Sequence, residues 1–76
     1  MKENIIGIIK NALAEGYDVL ISDEFYSLQR LLNGDWSVIG ECGWTASDAE
    51  VATMTVVEVK KYEEGIIDII VESTGF

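Results

Sequence analysis

Three residues, Glu63-Glu64-Gly65, constrain this chain more than any others. They separate two β-branched runs and put glycine where a three-residue hairpin loop needs a left-handed backbone. A loop of that length fixes the register of its strands. It sets Lys61 opposite Ile67, Val59 opposite Ile69 and Val57 opposite Val71 on one face, with Lys60 opposite Asp68 on the other. A slip of one residue would bury both charges, and the cross-strand pair of Lys60 and Asp68 adds roughly a few tenths of a kcal/mol to the chosen register.

At the other end of the chain the period changes from two to 3.6. Ile5, Ile6, Ile9, Ala12 and Leu13 share one arc, and Glu3, Lys10, Asn11 and Glu15 lie outside it, which predicts an amphipathic helix over about residues 2–15. Gly16 stands where a left-handed C-terminal cap is expected, and residues 17–22 read as a short strand. Gly7 falls on the outer face and weakens the helix there.

The middle admits two readings. Asn33-Gly34 between residues 26–32 and 36–42 is a strong hairpin signal. A helix competes: Ser22 suits its N-cap, Asp23 and Glu24 its first turn, Phe25, Leu28, Leu31 and Leu32 its apolar face, and Gly34 its end. Further on, Ser47-Asp48-Ala49-Glu50 matches a capping box, although residues 51–59 are rich in β-branched side chains, so one helical turn leading into a strand is expected. The resulting fold class is α+β, with one N-terminal amphipathic helix packed on a four- to five-stranded, mostly antiparallel sheet. With 76 residues, 49% of them hydrophobic, the chain folds as a single domain over 1–76. A chain this short buries only about 60% of its unfolded surface, so pairing into a homodimer would add stability.

Charge narrows the function. Fourteen acidic residues against five basic ones give a net charge of −9, on a surface of roughly 4,600 Å² by size scaling. Direct binding to nucleic acid would set phosphates against that field, whereas a basic protein, such as a nucleic-acid-binding effector, would be steered toward it. The candidate partner-binding residues are Asp23, Glu24, Asp35, Asp48, Glu50, Glu63 and Glu64, which gather at expected turns and ends. The competing reading of the same acids is a solvated, solubilising surface.

Catalysis finds little to work with. The chain has no histidine and a single cysteine, Cys42, without a nearby base to activate it. Pairs such as Asp23 with Glu24, or Asp48 with Glu50, are the kind of carboxylate neighbours that acid-base work or a divalent cation would need, and none has calcium-loop or phosphate-loop spacing. The expectation is no enzyme, no cofactor and no metal. Cys42 reads as a small buried hydrophobe, Trp36 as core, and Trp44 and Tyr26 as candidate aromatic anchors. One cysteine allows no internal disulfide, no signal peptide or membrane span is evident, and a cytoplasmic setting is expected.

In size, acidity and its opening plan, a helix over residues 5–13 followed by a strand over 17–22, the chain resembles the small phage-encoded anti-CRISPR and anti-restriction proteins. The resemblance is one of type and brings no site residues with it. It implies an inhibitor acting in the host-cell cytoplasm, whose carboxylates imitate phosphates and occupy the nucleic-acid site of a defence enzyme. An interaction or assembly module that associates through apolar surface or a sheet edge is the alternative from composition and pattern.

Overall fold

A computed structural model describes residues 4–40 and 43–72. The elements run α1 (Ile5–Ala14), β1 (Asp18–Ser22), β2 (Ser27–Arg30), β3 (Trp36–Val38), β4 (Thr45–Ala46), α2 (Asp48–Val51), β5 (Val56–Tyr62) and β6 (Ile66–Val71). They form one sheet of order β4-β3-β2-β1-β6-β5 with the two helices on one face. The α+β plan with an N-terminal helix holds. Among the described residues the sheet has six strands rather than four or five, and it is mostly antiparallel as expected: β1 and β6 run parallel while the other neighbours are antiparallel.

The helix starts later than periodicity alone suggests. Asn4 caps it, its side-chain oxygen accepting from the Ile6 N–H at 2.8 Å, and Ile5, Ile9 and Ala12 form its buried stripe. It ends as expected at Gly16 (φ +87°): Tyr17 N–H donates to the Ala12 carbonyl and Gly16 N–H to that of Leu13, the paired bonds that close a helix on a left-handed residue.

Both hairpins use one turn design. In the C-terminal one Gly65 has φ +85° and its N–H donates to the Tyr62 carbonyl at 3.1 Å. In the middle one Gly34 has φ +94°, its N–H donates to the Leu31 carbonyl at 3.0 Å, and Leu31 N–H donates to Asp35 O at 2.7 Å. The middle is therefore a hairpin, not a helix. Its loop is Leu32-Asn33-Gly34, and only glycines adopt positive φ among the described residues. Its strands are shorter than residues 26–32 and 36–42, and Cys42 lies outside the described residues.

The C-terminal register is as expected for Lys61 with Ile67, Lys60 with Asp68 and Val59 with Ile69. It departs at the far end, where a bulge between Val56 and Glu58 sets Val56, not Val57, opposite Val71 and leaves Val57 exposed. Lys60 and Asp68 face each other without an ion pair. The Asp68 carboxylate instead accepts from the Ser22 hydroxyl at 2.7 Å, and Ser22 also meets Ser27 at 3.1 Å.

The core is one layer between sheet and helices. Ile21, Leu28, Trp36, Val51 and Ile69 are its largest fully buried side chains, joined by Ile5, Ile9, Val19, Val38, Ile67 and Val71. Among the described residues nothing covers the opposite sheet face, which carries half-buried Leu20, Ile66 and Ile70 beside the Ser22, Ser27 and Asp68 strip. Among the described residues no helix is long and apolar enough to cross a membrane.

Gly7 lies exposed inside α1, and a Cβ there would meet nothing within 4 Å. Gly7→Ala should raise the urea midpoint by the equivalent of about 0.5–1 kcal/mol. An unchanged or lower midpoint would show that α1 does not hold this residue in helical conformation.

Candidate functional site

Strand direction decides which loops share an end of the sheet. β1 and β6 start, and β2 finishes, at the same end. The α1–β1 junction, the β2–β3 turn, the step from β4 into α2 and the β5–β6 turn all lie there. This end gathers seven carboxylates, from Glu15, Asp18, Asp35, Asp48, Glu50, Glu63 and Glu64, all of them exposed except half-buried Asp35. The Asp18 N–H donates to the Gly65 carbonyl at 2.9 Å, which joins the α1–β1 junction to the Glu63-Glu64 turn.

Five of the seven sequence candidates meet at this end. Asp23 and Glu24 sit at the opposite one, in the β1–β2 loop. Asp23 is half-buried and shapes its loop: one carboxylate oxygen accepts from the N–H groups of Phe25 (2.7 Å) and Tyr26 (2.6 Å), and the other is buried without a partner among the described residues. Sequence reasoning missed Glu15 and Asp18, which stand just before and at the start of β1, where the antiparallel β1–β2 pairing meets the β2–β3 turn and the parallel β1–β6 pairing meets the Glu63-Glu64 turn. It also missed Leu32, which stands fully exposed at the tip of the β2–β3 turn, an apolar knob among acids.

The acids at this end divide by what they do for the fold. Glu50 completes the capping box with Ser47, its carboxylate 3.4 Å from the Ser47 N–H and its own N–H donating to the Ser47 hydroxyl at 3.3 Å. Asp35 pairs with the Asn33 side chain across the turn. Asp48 takes the Trp36 indole N–H at 2.8 Å and Arg30 Nη1 at 3.3 Å on one oxygen, and the Arg30 guanidinium lies 5.4 Å from the Trp36 ring centroid. Asp48 thereby ties α2 to β3. Glu15, Asp18, Glu63 and Glu64 make no side-chain hydrogen bond or ion pair among the described residues, so their charge is fully offered to solvent.

Among the described residues two cations share this end, Arg30 on Asp48 and Lys61, whose Nζ lies 5.8 Å from the Tyr17 ring centroid. No three acids converge closely enough among the described residues to hold a metal ion. The arrangement is a spread anionic surface. Comparison with protein-family models, with curated proteins and with solved structures finds no match.

The Trp36 indole is fully buried, so removing its acceptor should be costly. Asp48→Ala should destabilise by about 1–3 kcal/mol in urea unfolding, whereas Asp48→Asn, which keeps an acceptor oxygen, should lose less than half of that. Equal losses would mean that charge, not the indole bond, fixes α2.

Proposed function

We propose that the chain is a small, non-catalytic inhibitor of the anti-CRISPR or anti-restriction type. In this reading it acts in the host cytoplasm, docks its acidic end on the Arg and Lys residues of a nucleic-acid-handling defence enzyme, and blocks that enzyme's nucleic-acid site. The observation that carries the reading is the gathering of Glu15, Asp18, Asp35, Asp48, Glu50, Glu63 and Glu64 at one end of the sheet, in a chain of net charge −9. Arg–carboxylate contacts would supply charge-assisted bonds, and long-range attraction would speed encounter. Leu32 would give such a contact an apolar anchor where charges alone are easily screened. A second reading, an interaction or assembly module binding through a sheet edge, is favoured by one observation: β5, seven residues long, ends the sheet and is exposed along nearly all of its length.

The test uses the four acids that carry no structural bond. Immobilised wild-type protein and the quadruple variant Glu15→Gln, Asp18→Asn, Glu63→Gln, Glu64→Gln are compared as baits in a bacterial lysate containing nucleases and CRISPR effectors, with elution by salt steps. The inhibitor reading expects a nucleic-acid-handling protein that duplex DNA competes off, that elutes as salt rises, and that the variant retains at least tenfold less well. Equal retention by both baits, or recovery of structural proteins alone, would sink it.

A further inference from the structure

We propose that β5 is a self-association edge: two copies pair their β5 strands antiparallel about a two-fold axis at Val59, merging two six-stranded sheets into one. This inference is independent of the acidic end. It starts from the sheet order, in which the edges are β4, with two residues, and β5, with seven. Only β5 is long enough to template another strand.

Its outward backbone groups can be identified. The Tyr62 carbonyl accepts from Gly65 within the hairpin, so the polar groups of Tyr62 point toward β6. Alternation along an antiparallel ladder then turns those of Lys61 and Val59 outward. The far end agrees, since the Thr55 carbonyl accepts from Glu72 at 3.0 Å and the bulge between Val56 and Glu58 supplies the residue that shifts the alternation.

Outward groups must face outward groups, which leaves a few two-fold registers. Centring on Glu58 opposes two glutamates, centring on Lys60 opposes two lysines, and centring on Lys61 does the same. Centring on Val59 alone opposes unlike charges: Glu58 meets Lys60 of the second copy, twice by symmetry, and Val59 meets Val59. The Lys60 side chain is free for this role because Asp68, its neighbour on β6, bonds Ser22.

Charge and apolar surface favour the same edge. β5 carries Lys60 and Lys61 against Glu58, a local positive excess in a chain of net charge −9. Val57 and Val59 are 62% and 38% exposed. Beside Val59 opens a groove of about 280 Å³, lined by Ile8, Ala12 and Ile67 together with Asn11, Glu15 and Lys61, that the added strand would flank. A single strand edge is a small interface, so the expected dimer is reversible, in the micromolar range.

Sedimentation equilibrium of the full chain from micromolar to millimolar concentration tests this. Wild type should dimerise. Glu58→Lys and Lys60→Glu, each setting like charges opposite one another, should each weaken the dimer about tenfold or more. Mixing the two variants should restore it as a heterodimer, because each then supplies the charge that the other lacks. A wild type that stays monomeric throughout, a dimer indifferent to both substitutions, or a mixture that fails to associate would overturn the assignment; circular dichroism of each variant verifies that it is folded.

Discussion

Everything in this molecule leans on one apolar layer, because a sheet of six short strands is covered on a single face by a ten-residue helix and one further helical turn. Val19 and Ile21 of β1 and Ile67 and Ile69 of β6 form the middle of that layer. α1 buries Ile5, Ile9 and Ala12 against the same layer. Alternation in β1 and β6 is thus an energetic requirement: each second residue must be apolar, and the residue between stays on the outer face, half-buried or exposed. That placement makes the loops and outer face available for charge.

The polar interactions refine this layer and do little to create it. The Asp48 contact to the buried indole decides where α2 lies, and the Asp23 loop fixes the turn between β1 and β2. Such bonds matter through what they prevent, since an indole N–H or loop amide left without a partner costs more than the bond itself contributes. Acidic residues therefore hold two kinds of position in one small protein. Some are fixed by the fold, and others, such as Glu63 and Glu64, are left to act on whatever approaches.

The local parts of the fold were legible in the sequence because each has its own chemical signature. Gly16, Gly34 and Gly65 take the left-handed backbone their positions imply, and Ser47 with Glu50 forms the capping box. What sequence did not reveal was non-local. No residue in β6 announces that it will lie parallel to β1 instead of extending the hairpin outward, since Ile66-Ile67-Asp68-Ile69-Ile70 fits an antiparallel strand equally well. The same blindness hid Glu15 and Asp18 from the acidic end. The bulge at Val56 and Glu58 was hidden too, because one extra residue in a β-branched run leaves the alternation looking intact.

The place of β6 in the sheet also has a bearing on how the chain is made. On that side β1 has no neighbour until residues 66–71 exist, and β5 can reach the sheet only through β6. A nascent chain emerging from the ribosome can form α1 and the β1–β2–β3 meander, yet its hydrophobic seam stays open until nearly the last residue of the sheet is synthesised. The pairing of β1 with β6 is thus the longest-range step in completing the sheet. The short interval before that closure is when Val19 and Ile21 of β1 are most exposed to misassociation.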